Sequence, residues 1–156
     1  MMNNMLETMG RQAKITANIL RKTKTAQKNQ ALLAMEAALI KNQAAIIVAN
    51  EKDIARAEER GLTPPMIERL TLTPDRIQAM ADSIRQIAGL PDPVGYIEEM
   101  KTNEDGLRIG KQRVPLGVIG IIYESRPNVT ADAAALCFKS GNTVILRGGK
   151  EALESN

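Results

Sequence analysis

Residues 114–150 of the chain read VPLGVIGIIYESRPNVTADAAALCFKSGNTVILRGGK. In order, the stretch holds an apolar run, a polar turn, an Ala-rich helical pattern and a second apolar run that ends in Arg-Gly-Gly-Lys. This order predicts a strand-helix-strand unit of a parallel sheet, because the crossover is long enough for parallel pairing. Ligands of parallel α/β sheets collect at the carboxyl ends of strands, so the two charged turns predict a binding site.

Local signals set the limits of the predicted unit. Residues 114–122 are apolar, rich in β-branched residues and nearly continuous, which predicts a strand buried on both faces. Pro127 excludes Arg126 from the helical region and forces a turn. Gly141 follows the helical pattern and terminates it, and residues 143–146 resume a strand. The predicted buried face of the helix consists of residues at helical spacing: Ala133, Leu136, Cys137 and Ser140.

The composition favours a soluble globular domain. With 156 residues and 44% hydrophobic content, the chain is long enough to bury one ordinary core. No apolar stretch approaches the roughly 20 residues of a membrane span, and residues 1–10 lack the layout of a signal peptide, so no membrane contact is expected and the cytoplasm is the expected location. One cysteine and no histidine exclude an internal disulfide, a Ser-His-Asp triad, a Cys-His pair and a His-based zinc site within these residues; no metal is expected.

Charge and aromatic content argue against a nucleic-acid partner. The formal net charge is +3, and the aromatic residues are Tyr96, Tyr123 and Phe138. Base stacking needs aromatic platforms within a basic groove, so no nucleic acid is expected. A basic cluster between residues 21 and 28 either contacts an anionic partner or forms a solvated helix face.

The pattern of the remaining chain changes near residue 90. Residues 1–90 show helical periodicity, and Thr63-Pro64 and Thr73-Pro74 each read as an N-cap followed by proline at the first helical position. Residues 91–113 read as a linker followed by a hairpin that turns at residues 103–106.

Neither standard phosphate fingerprint is present. The Gly117–Gly120 segment lacks the third glycine of a dinucleotide loop and lies inside the predicted strand. Gly149-Lys150 is followed by Glu151 and not by the Ser or Thr of a P-loop. What remains is a pair of glycines flanked by Arg147 and Lys150 before a predicted helical start, an arrangement suited to an anion.

Residues 114–156 closely resemble the aldehyde dehydrogenase superfamily and, within it, the gamma-glutamyl phosphate reductases of proline biosynthesis. The segment YESRPNVTADAAALCFKSGNTVILRGGKEALESN carries most of this resemblance, and ALLAMEAALIKNQAAIIVANEKDIARA extends it into the helical region. The resemblance implies an α/β fold in which N-terminal helices precede the start of a Rossmann-like parallel sheet.

The resemblance also implies a division of the chain. Residues 1–90 would form the helical part of the cofactor-binding domain, and residues 91–113 a linker and a possible oligomerisation hairpin. Residues 114–156 would be its first, incomplete strand-helix-strand unit. The catalytic domain and its cysteine nucleophile would be absent, as in an N-terminal part of a longer enzyme that is inactive alone.

The first turn is expected to serve the reacting end of the substrate. Relatives place an asparagine after this strand, and Asn128 matches it, which implies a donor to the oxyanion of a tetrahedral intermediate. The alternative is that Asn128 only caps the helix. Ordinary aldehyde dehydrogenases have a tryptophan at the position of Pro127 and usually a proline at that of Arg126. The guanidinium of Arg126 suits an acyl phosphate substrate, so Ser125 and Arg126 are assigned to substrate binding. Alternatively, Arg126 pairs with Glu124 or Asp132.

The second turn is expected to hold the cofactor. The superfamily commonly has a glutamate that favours NAD at the position of Lys150 in this chain. The lysine attracts a 2′-phosphate instead, so Arg147, Gly149 and Lys150 are assigned to NADPH.

Cys137, the only cysteine, lies on the predicted apolar helix face and is read as core packing. The expected activity of the longer parent is NADPH-dependent reduction of L-glutamyl 5-phosphate to L-glutamate 5-semialdehyde and phosphate, in a homo-oligomer. Two alternatives stay open. One is a truncated, non-catalytic binding or assembly module; the other is a reductase of another acyl phosphate or aldehyde.

Overall fold

The computed structural model describes residues 2–156, with side chains from residue 4 onward; Met1, the first residue of the predicted helical region, lies outside them. Five helices come first: α1 (Met2–Leu20), α2 (Thr25–Lys41), α3 (Gln43–Glu59), α4 (Pro64–Leu70) and α5 (Pro74–Gly89). The strands β1 (Ile97–Thr102), β2 (Arg108–Gln112) and β3 (Val118–Ile122) follow. Helix α6 (Pro127–Lys139), strand β4 (Thr143–Arg147) and a short 3-10 helix (Lys150–Ala152) complete the described chain.

The helix boundaries follow the local sequence signals. At α5 the Thr73 hydroxyl accepts a hydrogen bond from the Arg76 backbone N–H at 3.2 Å, and Pro74 occupies the first turn. At α4 Pro64 also opens the helix, but Thr63 makes no side-chain cap bond. Gly141 terminates α6 at φ 76°, where a Cβ would also lie 2.8 Å from Pro115 Cγ. Glycine is therefore required there for both conformation and space.

The principal core lies between α2, α5 and α6. Leu32, Ile84 and Ala135 are fully buried and pack together, with Met35, Leu39 and Phe138 beside them. Two buried lysines seal the end of this core: Lys28 Nζ donates to the Lys139 carbonyl at 3.0 Å, and Lys139 Nζ donates to the Ala88 carbonyl at 2.7 Å. Desolvation lowers the pKa of Lys139, the expected cost of burying its ammonium. This packing fixes α6, which carries the first predicted turn at its N-terminus.

The strands form two separate pairs. Strands β1 and β2 are antiparallel, as the hairpin pattern predicted, with an irregularity between Glu98 and Lys101. Strands β3 and β4 are parallel in register Val118↔Thr143 to Ile122↔Arg147 and are joined by α6. The predicted α/β strand-helix-strand unit is therefore confirmed.

Two details of that unit were predicted wrongly. The strand begins at Val118 and not at residue 114, and its residues alternate between exposed and half-buried instead of being buried on both faces. Leu116, assigned to the strand, is 87% exposed. A pair of strands has two free edges, so the described residues cannot bury the apolar run as a wider sheet would.

The buried face of α6 was also predicted only in part. Cys137 is buried, but Leu136 is half-exposed, and the residues that pack on the core between α2 and α5 are Ala131, Ala135 and Phe138. An Ala-rich helix offers several small-residue faces of similar character, so the contacts with neighbouring helices decide which one is buried.

Among the described residues, no single helix is long and apolar enough to cross a membrane. Helices α2 and α3 meet at a bend of 66°, and only when taken together do they have the length and apolar composition of a membrane span.

Candidate functional site

The turn after β3 presents two polar side chains at the N-terminus of α6. Arg126 is extended, with φ −127° and ψ 94°, as Pro127 requires of the residue before it. Asn128 is the second residue of α6, is exposed and provides no side-chain cap bond; the cap position belongs to Arg126. The capping alternative for Asn128 is therefore wrong, and its amide is free to bind a ligand.

Arg126 and Asn128 line an open cavity of about 490 Å³ whose opposite walls come from the helical region. Arg69 from the last turn of α4 and Arg76 from the first turn of α5 line the same cavity. Their guanidiniums raise the local positive potential, and Asp132 adds one carboxylate. Such a cavity suits a ligand that has more than one anionic group and a hydrogen-bond acceptor near the Asn128 amide.

The three arginines differ in how they are held. Arg76 Nη1 donates to the Thr71 carbonyl at 2.8 Å and to the Glu68 carbonyl at 2.5 Å, so it fixes the α4–α5 connection. Within residues 4–156, Arg69 and Arg126 form no ion pair. The alternative in which Arg126 pairs with Glu124 or Asp132 is thus wrong for the described chain.

Asp132 is oriented by a neighbouring helix. Ser83 Oγ on α5 donates to Asp132 Oδ1 at 2.9 Å, and both residues line the cavity. This bond spans the α5–α6 contact and leaves the second carboxylate oxygen of Asp132 available.

The second turn, after β4, meets the first turn directly. Ser125 Oγ donates to Glu151 Oε2 at 2.6 Å, and this bond is the main cause that lowers the pKa of Glu151. Ser125 is predicted to bind substrate, and that assignment stays a prediction; its hydroxyl proton is engaged with Glu151. The two strand ends are therefore coupled.

Gly149 permits this close approach. A Cβ at Gly149 would lie 2.3 Å from Ser125 Oγ and 3.0 Å from the Ser125 backbone nitrogen. Its φ of −64° is ordinary, so the glycine is required for space and not for conformation. The element after it is a three-residue 3-10 helix, which offers no helix dipole of useful length to an anion.

Arg147 and Lys150 flank the two glycines and are both exposed. The residues beyond them are anchored to α3 by the buried Asp53 carboxylate. It accepts hydrogen bonds from the Glu154 backbone nitrogen at 3.0 Å and the Ser155 backbone nitrogen at 2.8 Å. This anchor holds the cationic turn in place, while the cations themselves face solvent.

Cys137 has the environment of a packing residue. It is buried on α6, and burial raises the pKa of its thiol, which disfavours the thiolate. The described part of the chain holds no group of three or more His, Cys, Asp or Glu side chains able to bind a metal ion.

Sequence reasoning missed the residues that complete both sites: Arg69, Arg76, Ser83 and Asp53. Each lies in a helical segment, and the apolar periodicity of such a segment predicts which residues pack in the core but not which polar side chains line a site. The short α4 between two Thr-Pro starts was the available signal, since it places an arginine at each side of the α4–α5 connection.

Comparison with known proteins gives consistent matches. The chain is 58% identical to the gamma-glutamyl phosphate reductase of Enterococcus faecalis over 151 residues, which cover 97% of this chain and 36% of that protein. No protein-family model matches. At 36% coverage, the chain spans about a third of the length of the curated relative from Enterococcus faecalis.

Solved structures agree. Crystal structures of gamma-glutamyl phosphate reductases from Thermotoga maritima and Saccharomyces cerevisiae each match with a TM-score of 0.91, at 43% and 37% identity. The matches cover 94% and 95% of this chain, and 35% and 38% of the two structures. A putative aldehyde dehydrogenase from Bacillus subtilis matches at 20% identity with a TM-score of 0.68, over 97% of this chain and 31% of that structure, and shows the shared fold.

Proposed function

This chain is a homologue of the gamma-glutamyl phosphate reductases over 97% of its length, and on that premise we propose that it forms part of such a reductase. The reaction is NADPH-dependent reduction of L-glutamyl 5-phosphate to L-glutamate 5-semialdehyde and phosphate, a step of proline biosynthesis. The observation that carries the proposal is the position of Asn128. Its side-chain amide makes no cap bond, lies in the first turn of α6 and lines a cavity to which three arginines also contribute.

Asn128 acts on the reacting carbonyl. When a nucleophile adds to the acyl carbon, the carbonyl oxygen gains negative charge, and a fixed neutral N–H donor stabilises that charge without reorganisation. The rigid start of α6, with Pro127 buried beneath it, holds the backbone that aims this amide. Cys137 is buried in the core, so the attacking thiol is assigned to a residue outside 1–156, and residues 1–156 alone are expected to be inactive.

Arg126 acts on the phosphate. It lies two residues from Asn128 on the same cavity wall and has no acidic partner among the described side chains. A guanidinium binds a phosphate through two parallel hydrogen bonds and stabilises the charge of the departing group. A neutral aldehyde has no anionic group for this guanidinium to bind, which favours the acyl phosphate over a simple aldehyde.

The second turn fits the phosphorylated ribose of NADPH. Arg147 and Lys150 are exposed cations, Gly149 keeps the turn against Ser125, and the adjacent Glu151 carboxylate is engaged by the Ser125 hydroxyl. Two cations close to a 2′-phosphate favour NADPH over NADH. Bound there, NADPH supplies the hydride that reduces the acyl group.

The hairpin is proposed to contribute to a homo-oligomer. Ile97, Met100, Leu107 and Ile109 are each between 48% and 62% exposed on β1, β2 and their turn. An apolar surface of this extent is typical of protein contacts. Light scattering of the complete protein tests this: Leu107→Glu together with Ile109→Glu should reduce the molar mass, and an unchanged mass would contradict it.

The activity is tested on the complete native protein that contains residues 1–156, in the reverse direction. Purified protein is mixed with L-glutamate 5-semialdehyde, phosphate and NADP⁺, and NADPH absorbance is followed. Phosphate-dependent NADPH formation is expected. Turnover without phosphate would indicate an ordinary aldehyde dehydrogenase, and no turnover by a native protein whose intact mass matches only residues 1–156 would indicate a non-catalytic module.

A substitution in the second turn tests the predicted preference for NADP⁺ over NAD⁺. Lys150→Glu should lower the preference for NADP⁺ over NAD⁺ by about tenfold or more, because a like charge then faces the 2′-phosphate. The matched control is Lys14→Glu, which makes the same charge change on the exposed surface of α1, outside the turn. An unchanged preference in Lys150→Glu would refute the assignment of this turn.

A further inference from the structure

We propose that the cavity beside Asn128 contains a subsite for the free amino-acid end of the substrate. In this subsite Arg69 binds the α-carboxylate and Asp132 binds the α-ammonium. The inference rests on the proposed function for the identity of the reacting end, and it goes further by assigning the opposite end to residues outside both turns.

The spacing along α6 supports the position of the ammonium subsite. Asn128 and Asp132 are four residues apart on one helix, so their side chains share a face with Cβ atoms about 5–6 Å apart. In an extended glutamyl chain the reacting carbonyl carbon and the α-nitrogen are separated by four bonds of about 1.5 Å, a span of roughly 5 Å. A substrate carbonyl at Asn128 therefore places its ammonium near Asp132.

The contacts of Asp132 leave it ready for a cation. Ser83 Oγ occupies one carboxylate oxygen at 2.9 Å and holds the group against α5. No lysine or arginine pairs with Asp132 among residues 4–156. A half-buried carboxylate without a basic partner, and the only acidic side chain among the residues that line this cavity, is suited to a ligand ammonium.

Arg69 completes the complementary set. The Arg76 guanidinium is committed to the α4–α5 connection, and Arg126 lies at the reacting end. Arg69 lies in the last turn of α4 on the facing wall and makes no ion pair with the described side chains, so it is the cation available to a second anion. An acyl phosphate on the side-chain carboxyl of an acidic amino acid carries the matching groups: a phosphate and a carbonyl at one end, a carboxylate and an ammonium at the other.

The experiment separates these groups with three stable probes, bound to the complete protein and followed by nuclear magnetic resonance titration. L-Glutamate carries both groups, glutarate lacks the ammonium, and 4-aminobutyrate lacks the α-carboxylate. In each probe the remaining carboxylate stands in for the acyl phosphate. Arg69→Met should weaken L-glutamate and glutarate by about tenfold or more while leaving 4-aminobutyrate unchanged.

Asp132→Asn should show the reverse selectivity. The amide keeps the hydrogen bond from Ser83, so the α5–α6 contact is retained, but the charge that attracts an ammonium is lost. L-Glutamate and 4-aminobutyrate should weaken by about tenfold, and glutarate should not. Arg69→Lys is the conservative variant and should recover part of the loss, and Arg21→Met is the control for removing an exposed arginine elsewhere.

The results distinguish this proposal from the proposed function. Selective losses by probe support the subsite even if the protein fails to turn over the semialdehyde. Equal losses for all three probes, or none, overturn the subsite even if turnover is found. If Arg69→Met does not fold, as judged by circular dichroism, the same selectivity is read from Arg69→Lys, whose equal weakening of all three probes would also overturn it.

Discussion

The turns after β3 and β4 begin from the same edge of one parallel strand pair, yet their surroundings differ. The first turn faces a cavity of about 490 Å³ walled by α4, α5 and α6, and presents Arg126 beside Asn128. The second turn presents Arg147 and Lys150 to solvent, and the residues that follow it are hydrogen-bonded to Asp53 on α3. Equivalent positions in a sheet thus acquire different surroundings from the helices that pack around them. The turn after β3 lines an open cavity with polar donors, and the turn after β4 forms an exposed cationic edge.

The largest effect is expected from the first turn. Asn128→Ala removes one donor to the developing oxyanion, which should lower kcat about 10²- to 10³-fold. The stability should be unchanged, because Asn128 is exposed and makes no cap bond. Steady-state kinetics of the complete enzyme measure the first, and thermal unfolding the second. Asn128→Asp, which keeps the shape but loses the donor, should also be impaired; full activity in that variant would break the assignment.

The next effect tests whether the two turns depend on each other. Gly149→Ala places a Cβ against the Ser125 backbone and side chain, so both turns must shift. Overpacking of this kind costs about 1–3 kcal/mol of unfolding free energy. Gly120→Ala is the matched control, since Gly120 lies in the extended backbone of β3, has no positive φ, and a Cβ there meets nothing within 4 Å. Denaturant unfolding of the two variants should differ by that amount; equal stability would mean that the turns are not in close contact.

The hydrogen bond between the turns gives a pH-dependent signature. Ser125→Ala should lower stability by about 1 kcal/mol at neutral pH. In the folded state the pKa of Glu151 is lowered, so this stabilisation is present above the ordinary glutamate value of about 4.3 and is lost as the pH falls through the lower folded value. Unfolding curves of wild type and Ser125→Ala should therefore converge in acid. A difference that persists unchanged at low pH would refute the Ser125–Glu151 coupling.

The smallest effect on activity is expected from Cys137. Cys137→Ala removes a buried sulfur from α6 and should cost about 1 kcal/mol of stability without changing kcat. In the folded protein its thiol should also react slowly with iodoacetamide, because burial raises its pKa. Loss of turnover at unchanged stability would mean that this cysteine is the nucleophile after all.

The order of elements and the location of both turns could be predicted from local rules. Pro127 fixes Arg126, Thr73 and Pro74 start α5, and Gly141 ends α6, each through the conformation of a few neighbouring residues. The Ser125 contact with Glu151 and the arginine wall could not, because they join residues far apart in sequence. Hydrophobic patterns also failed where alternatives were equivalent, as on the Ala-rich α6, and where burial depends on more strands than residues 114–147 provide.

The most direct test compares one variant of each turn with each of the two cofactors. In the complete enzyme, rates of semialdehyde oxidation with phosphate are measured with NADP⁺ and with NAD⁺ for wild type, Asn128→Ala and Lys150→Glu. Asn128→Ala should lower kcat by the same factor with both cofactors. Lys150→Glu should change the ratio of kcat/KM for NADP⁺ to that for NAD⁺ while kcat at saturating cofactor stays close to wild type. A changed cofactor ratio in Asn128→Ala, or an unchanged one in Lys150→Glu, would contradict the separate roles of the two turns.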